Sequence, residues 1–202
     1  MKVKKVLVLL LIPVFCDMLV ACCDCGEPQL FRYTNKVLEL EHLDNRGQSA
    51  VVVAGEPALK EAYSIRLTVK GETTAFKTPS FSFFINRSYA FSCGCDPAIQ
   101  YLPKDSITAI YVITVNDFDA QHPAGTDISA YFRLYTWNNF TSIDDYLQKD
   151  AKIFSYDEPK QIILNALLMQ PPASSGVYRF KIVMDLSDGR RFDKETSTIE
   201  LL

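Results

Sequence analysis

Alternation of apolar and polar residues is the feature that most constrains the fold of this 202-residue chain. In the segment IRLTVK, residues 65–70, every second side chain is apolar, and Gly71 follows. Successive side chains of a β-strand point to opposite faces of the sheet. The period of two therefore predicts a half-buried strand that ends in a turn at Gly71.

The same period marks the C-terminal part of the chain. Apolar residues at every second position are Tyr178, Phe180, Ile182, Met184 and Leu186. Ser187, Asp188 and Gly189 follow, and an Asp-Gly pair tolerates the positive φ angles of a tight hairpin turn. We predict a long final hairpin whose second strand runs from Arg191 to Leu201.

Five further segments have the composition of strands, namely Val37–Leu43, Phe81–Asn86, Ile107–Val115, Ala130–Thr136 and Ile162–Leu168. Ile107–Val115 and Ile162–Leu168 are nearly continuous apolar runs, as expected for strands that are covered on both faces. The second of these runs could instead be helical, because a short apolar run has no clear period.

One short helix is predicted after residue 141. Ser142 can cap it, Asp145 lies at the capping-box position, and Ile143, Tyr146 and Leu147 would share one face. Many short strands with so little helix predict an all-β fold, an antiparallel β-sandwich of about eight strands with one short helix. A barrel is the alternative.

The N-terminus carries a different pattern. Three lysines within residues 2–5 precede the apolar run Val6–Phe15, which has the length of a signal-peptide core. The run is too short to span a bilayer, which takes roughly 20 apolar residues. A buried N-terminal strand or helix is the alternative, and Pro13 and Asp17 disfavour it.

Residues 19–22, LVAC, resemble a lipobox, the bacterial signal in which small and aliphatic residues precede a cysteine that becomes lipidated. Cys22 fits this pattern, whereas Cys16 follows Phe15 and does not, and Cys23 and Cys25 fit poorly. The resemblance implies cleavage before Cys22, a diacylglyceryl thioether on its sulfur, and attachment to a membrane through this lipid. Each buried CH₂ contributes about 0.8 kcal/mol, so several acyl chains anchor stably.

Cleavage there divides the chain into a signal peptide (1–21), a lipidated N-terminal segment (22–36) and a β-sandwich domain (37–202). The net charge of the whole chain is −3, and cleavage makes it more negative because three lysines and one aspartate leave with the signal. No basic cluster remains, which argues against nucleic acid as an electrostatic partner.

Four cysteines remain in two C-x-C pairs, and they are Cys23, Cys25, Cys93 and Cys95. Exported proteins keep disulfides, so these residues are disulfide candidates with three alternative connectivities. Links between the pairs are favoured, because a bridge within one C-x-C closes a small strained ring. A four-thiolate zinc or copper(I) site is the alternative, although structural zinc sites space their cysteines more widely.

No catalytic motif occurs, and the chain has only two histidines. We expect His42 to be a surface or edge histidine of a strand. His122 lies in NDFDAQHPAGTD, residues 116–127, with Asp117, Asp119 and Asp127, and this loop is either a solvated connector or a cation or ligand site. We predict no catalytic residue, no resident metal or cofactor, and no enzymatic activity.

A cluster of aromatic and amide residues is the best candidate for recognition. Its members are Tyr131, Tyr135, Trp137, Asn138 and Phe140. Exposed rings can stack on sugar faces, and amides can bond hydroxyl groups. Aromatic residues are also favoured in strands for packing alone, with Phe132 and Leu134 on the opposite face from Tyr131 and Tyr135.

A sandwich that ends in a long hairpin resembles immunoglobulin-like modules of secreted bacterial proteins. The lipobox, the C-x-C pairs and the all-β body together resemble small Bacteroidetes envelope lipoproteins of unknown function, and Asp105-Ser106-Ile107 resembles a Bacteroidetes O-glycosylation pattern at Ser106. These resemblances imply an envelope location, with an outer-membrane anchor, and transfer no activity.

We therefore expect a lipid-anchored binding or assembly module whose partner is a glycan or an envelope protein. The alternatives are an accessory or structural subunit of an outer-membrane complex, and a thiol-dependent metal-binding protein.

Overall fold

The computed structural model describes residues 29–74, 99–136, 139–149, 151 and 161–202. Within these ranges the chain has one α-helix, α1 (Ile143–Lys149), and twelve strands. The strands are β1 (Gln29–Asp44), β2 (Val51–Val53), β3 (Tyr63–Thr74), β4 (Ile99–Pro103), β5 (Ile107–Thr114), β6 (Phe132–Thr136), β7 (Asn139–Thr141), β8 (Gln161–Leu168), β9 (Gly176–Tyr178), β10 (Phe180–Leu186), β11 (Arg191–Glu195) and β12 (Ile199–Leu201). Nearly all strand pairs are antiparallel, which confirms the predicted all-β sandwich. The predicted strand Phe81–Asn86 lies outside the described residues.

The larger sheet has seven strands in the order β2-β1-β3-β8-β6-β7, and β4 also pairs with β1. β4 runs parallel to the N-terminal part of β1, from Gln29 opposite Ile99 to Tyr33 opposite Pro103. Residues 29–36 are therefore part of the sheet, and the domain extends further toward the N-terminus than the start that we predicted at residue 37.

The turn predicted at Gly71 is wrong. β3 continues to Thr74 because the early part of β1 supplies its hydrogen-bonding partner, and Gly71 lies opposite Asn35 beside a shift in register. A Cβ on Gly71 would lie 3.2 Å from a ring carbon of Tyr33 and 3.3 Å from the carbonyl oxygen of Thr34. The glycine thus permits close approach of two strands within the sheet.

The final hairpin is confirmed at its turn, where Gly189 has a φ of 85° and β10 pairs with β11. The continuous strand predicted from Arg191 to Leu201 is wrong, because β11 and β12 are separate and β12 pairs with β9 in a two-stranded sheet. The ladder between β10 and β11 ends at Thr196. There the side-chain Oγ1 of Thr196, rather than a backbone carbonyl, accepts the N–H of Phe180 at 3.1 Å. β12 then runs beside Ala58.

The hydrophobic core lies between the seven-stranded sheet and the three-stranded sheet β11-β10-β5. Phe180 of β10 is at its centre, with its ring centroid 5.7 Å from that of Tyr63 and 6.0 Å from that of Phe132. All three rings are buried. Truncation of an aromatic ring in such a site costs about 3–5 kcal/mol, so this cluster holds the two sheets together.

The two apolar runs form strands β5 and β8, and the helical alternative for residues 162–168 is wrong. The sequence predicted that both strands are covered on both faces, and this prediction is wrong. Tyr111 of β5 is 40% exposed and Ile163 of β8 is 48% exposed, because each sheet packs only one face against the core. The runs therefore place large apolar side chains on solvent-facing surfaces.

The predicted helix is confirmed with its cap. The Ser142 hydroxyl accepts the N–H of Asp145 at 3.0 Å and donates to the Asp145 carboxylate at 2.7 Å. Ile143 and Tyr146 are buried and Leu147 packs against the core, so the expected face is the one that faces inward.

A buried carboxylate connects the hairpin of the smaller sheet to β1. Asp105, only 1% exposed, accepts the N–H of Asn35 at 3.1 Å, and it also bonds the guanidinium of Arg190. Arg190 donates in turn to the carbonyl of Asn35 at 2.7 Å. Asp105, the first residue of the O-glycosylation-like pattern Asp105-Ser106-Ile107, thus has a structural role that is independent of that pattern.

Candidate functional site: the outer face of the large sheet

The solvent-facing side of the seven-stranded sheet carries a continuous row of side chains that crosses five strands. Strand pairing places Glu41 opposite Arg66, Arg66 opposite Asn165, Asn165 opposite Tyr135, and Tyr135 opposite Phe140. We call these five residues the transverse row. Neighbouring strands lie about 4.8 Å apart, so the row is about 19 Å long from end to end.

One end of the transverse row is aromatic. The ring centroids of Tyr135 and Phe140 are 5.1 Å apart and the ring planes are inclined by 46°. Tyr135 is 40% exposed and Phe140 is 61% exposed. Large aromatic side chains usually contribute their area to the core, so a contiguous exposed pair is a feature typical of recognition surfaces.

The other end is polar and internally bonded. The Nε of Arg66 donates to the Oδ1 of Asn165 at 3.1 Å, and its guanidinium lies 3.5 Å from the Glu41 carboxylate. Because Oδ1 of Asn165 accepts the bond from Arg66, the donor group of this side chain is its amide nitrogen. The row thus runs from a charged pair through an amide to two aromatic rings.

The local sequence explains why the aromatic pair faces outward. Phe132 and Leu134 of β6 are fully buried, and they fix the alternation that turns Tyr135 toward solvent. β7 follows β6 closely in sequence and is the last strand of the sheet, which brings Phe140 beside Tyr135.

The predicted recognition patch is only partly assembled. Tyr135 and Phe140 are brought together as expected, but the placement of Tyr131 with them is wrong. Tyr131 lies in a 3₁₀ turn, its hydroxyl is 3.0 Å from Nε2 of His122, and its ring packs 5.9 Å from that of Phe118. Its role is to support the 116–127 loop.

Two members of that patch, Trp137 and Asn138, lie outside the described residues. The lipidation residue Cys22 and the disulfide candidates Cys23, Cys25, Cys93 and Cys95 also lie outside them. Conversely, the sequence did not identify Glu41, Arg66 and Asn165 as partners of the aromatic pair, because they come from three strands that are distant in sequence. Only the register of β1, β3, β8 and β6 makes them neighbours.

The acidic side chains of the loop 116–127 are engaged within the loop and its flanks. Asp119 accepts the N–H of Gln121 at 2.8 Å and contacts the His122 ring at 2.7 Å. Asp117 accepts the N–H of Ala124 at 2.8 Å. No group of three or more potential metal ligands is present in the described ranges. The acidic side chains therefore hold the loop together through hydrogen bonds within it, as expected for a structural connector.

His42 is not at the surface, and that expectation is wrong. It is 4% exposed, with Nδ1 2.7 Å from the Tyr63 hydroxyl and Nε2 3.0 Å from both oxygens of Ser197. Its position in β1, with Leu38 and Leu40 at the preceding alternate positions, points it into the core. Burial lowers the pKa of His42, and the hydrogen bond to the Ser197 carbonyl offsets part of that shift.

These features define a class of protein: a β-sandwich whose large sheet presents a mixed aromatic and polar face to solvent. The chain belongs to the family described as Domain of unknown function (DUF5034), whose model matches residues 35–198. No curated protein matches the chain. Among the helices of the described ranges, none has the length and hydropathy needed to cross a membrane.

Proposed function

We propose that the protein is a lipid-anchored component of a bacterial cell envelope that acts without catalysis, by binding a glycan along the transverse row. The observation that carries the proposal is the continuous row from Glu41 to Phe140 on an open sheet face. It offers a sugar chain both ring surfaces and hydrogen-bonding groups in one line.

The chemistry of the row suits a carbohydrate better than a charged polymer. A sugar ring has an apolar face that can pack on the rings of Tyr135 and Phe140, and hydroxyl groups that can bond the amide of Asn165. The two charged members of the row, Arg66 and Glu41, are of opposite sign and pair with each other. An open face of this kind favours an extended ligand laid across the strands.

The lipid anchor is proposed from the lipobox resemblance at Cys22. The first described strand begins at Gln29, and an extended chain spans at most about 3.5 Å per residue. The sheet would therefore begin within about 25 Å of the lipidated residue. Labelling of growing cells with radioactive palmitate tests this step: wild type should incorporate label, and Cys22→Ser should not.

Glycan binding is tested with Phe140→Ala in affinity gels that contain envelope polysaccharides purified from the producing bacterium, and on a glycan array. Phe140 is mostly exposed, so truncation should leave the fold intact and weaken binding about tenfold, a loss of about 1.4 kcal/mol. Tyr111→Ala is the matched control, because Tyr111 is likewise an exposed aromatic residue, 40% exposed, but lies on the other sheet.

Equal binding by Phe140→Ala and wild type would show that the transverse row is not the binding site. Absence of binding by the wild-type protein to every polysaccharide tested would contradict the glycan proposal. It would favour the alternative role, an accessory subunit of an outer-membrane complex.

A further inference from the structure

Arg133 lies beside the transverse row and carries a charge that no carboxylate of the described ranges pairs with. It precedes Tyr135 by two residues in β6, so both side chains lie on the outer face of the large sheet, with Cα atoms about 7 Å apart. The arginines that do form ion pairs in the described ranges are Arg46, Arg66, Arg179, Arg190 and Arg191. Arg133 thus differs from most arginines of the domain.

Two backbone carbonyls hold the guanidinium of Arg133 in place. Its Nη1 donates to the carbonyl of Ala130 at 3.2 Å and to that of Phe132 at 3.1 Å. Nε and Nη2 have no acceptor among the described residues, and their N–H groups point in parallel from one edge of the planar guanidinium. That edge matches the two oxygens of a carboxylate, which it can bind through two parallel hydrogen bonds.

Asp145 of α1 interacts electrostatically with Arg133 but bonds other partners. Its carboxylate accepts the Ser142 hydroxyl at 2.7 Å and the Lys149 ammonium at 3.3 Å. The hydrogen bonds from Ser142 and Lys149 lower the pKa of Asp145, and the positive charge of Arg133 adds a smaller effect of the same sign. The free edge of the Arg133 guanidinium therefore remains available to a ligand.

We propose that the glycan of the transverse row contains carboxylate-bearing sugar units, such as uronic acids, and that Arg133 binds their carboxylate. A uronic acid carries its carboxylate on the rim of the sugar ring, whereas the face of the ring stays apolar. With that face packed on the paired rings of Tyr135 and Phe140, the carboxylate can reach the guanidinium two residues along β6. This inference rests on the proposed glycan site and names the class of sugar that the site selects.

A glycan in which acidic and neutral sugars alternate suits this face better than a polymer that is charged at every unit. Arg66 is paired with Glu41, and the amide of Asn165 and the two aromatic rings are uncharged. Beside them Arg133 supplies one positive charge, which matches one carboxylate. The neutral neighbours of the acidic sugar would contact the amide and the rings.

The test measures binding of the full chain to hyaluronan, in which glucuronate alternates with a neutral sugar, and to the envelope polysaccharides of the producing bacterium. Each is used before and after chemical reduction of its carboxylates to alcohols, which removes the charge and keeps the ring. Arg133→Gln removes the guanidinium, and Arg133→Lys keeps a positive charge without the parallel donors. Arg32→Gln is the matched control, because Arg32 is exposed and has no ion pair in the described ranges, but lies near the N-terminal end of β1.

We expect the wild-type protein to bind at least one acidic polysaccharide about tenfold more tightly than its reduced form, because reduction removes a charge-assisted pair of hydrogen bonds. Arg133→Gln should abolish this preference, Arg133→Lys should retain part of it, and Arg32→Gln should retain all of it. Salt at about 1 M should also reduce the preference, because the pair would be open to solvent.

Equal binding of acidic and reduced polysaccharides by the wild-type protein, or an undiminished preference in Arg133→Gln, would overturn this inference. The glycan site would still stand if Phe140→Ala weakens binding to the same polysaccharides. Absence of binding to every polysaccharide would contradict both proposals. Urea unfolding shows whether each variant folds, and if Arg133→Gln does not, an undiminished preference in Arg133→Lys would overturn the inference instead.

Discussion

The carboxylate of Asp105 is almost fully buried, yet its partner Arg190 is 39% exposed. Asp105→Ala would leave the N–H of Asn35 and the guanidinium of Arg190 without this acceptor. We expect the free energy of unfolding to fall by about 2–3 kcal/mol, because an unsatisfied buried donor and a broken ion pair both act against the fold. Urea unfolding followed by circular dichroism measures this loss.

Asp188→Ala is the control for that change, because Asp188 bonds the same arginine at 2.7 Å but is 39% exposed. An exposed ion pair contributes at most about 1 kcal/mol. Equal losses in the free energy of unfolding for the two substitutions would show that the burial of Asp105 does not add to the stability of the fold.

His42 gives the fold a dependence on pH. Burial lowers the pKa of His42 in the folded state, so the unfolded chain binds the proton more readily. The contribution of His42 is therefore fully present above its ordinary pKa of about 6.5 and declines as the pH falls below that value, toward the lower folded pKa.

We expect the urea midpoint of the wild-type protein to fall more between pH 7.5 and about pH 5.5 than that of His42→Gln, because the glutamine at position 42 does not titrate. His122 is present in both proteins and serves as an internal control. Parallel pH dependences of the two proteins would contradict a role for His42.

The position of His42 could have been recognised from the sequence. Leu38, Leu40 and His42 have the same parity in β1, and the first two are apolar, so the alternation points the histidine inward. A polar residue in an inward position requires partners, and here these are Tyr63 and Ser197. The partners themselves could not be predicted, because Ser197 belongs to the segment between β11 and β12.

At the scale of elements, the turn between β10 and β11 depends on Gly189. Its φ of 85° is a conformation that costs an L-residue about 1–2 kcal/mol, and no atom lies within 4 Å of a Cβ placed there. Gly189→Ala should therefore lower the free energy of unfolding by about 1–2 kcal/mol through the backbone alone.

Gly47→Ala is the matched substitution, because a Cβ at Gly47 would make an ordinary contact 3.6 Å from the Ser49 carbonyl oxygen. We expect it to leave the urea midpoint nearly unchanged. If both alanine variants unfold at the wild-type midpoint, the turn does not require glycine.

The pattern of each segment, alternating or continuously apolar, predicted most of the described strands, because it reflects a physical property of that strand by itself. It did not predict where strands end. β3 passes through Gly71 because β1 accompanies it, and the final hairpin is interrupted because the Thr196 side chain bonds Phe180. Strand ends depend on partners that are distant in sequence, so the pattern of one segment cannot define them.

At the scale of the whole molecule, a disulfide between the two C-x-C pairs, which contain the four candidates Cys23, Cys25, Cys93 and Cys95, would close a loop of about 70 residues. In the chain-entropy model, a first bridge of that size stabilises the fold by about 4 kcal/mol, and the second adds much less. Treatment of the wild-type protein with a reductant should lower its urea midpoint accordingly. A variant with serine at all four cysteines should not respond to the reductant.

Only the aromatic half of the candidate site could be predicted from the sequence. Tyr135 and Phe140 were identified because they are close in sequence and of a recognisable chemical type. Arg66 and Asn165 were not, because they are 99 residues apart and become neighbours only through the pairing of β3 with β8. Sites that cross a sheet depend on tertiary register, which alternation does not specify.

The pairing of β1 with β3 also determines how the domain would respond to mechanical force. If the N-terminal end of β1 is attached to a membrane, tension along the strand is parallel to the sheet and perpendicular to the hydrogen bonds of the ladder. These bonds would then be loaded together in shear, whereas a pull across the strands would open them one at a time. An anchor at this terminus would place the longest ladder of the described sheet in the geometry that best resists extraction.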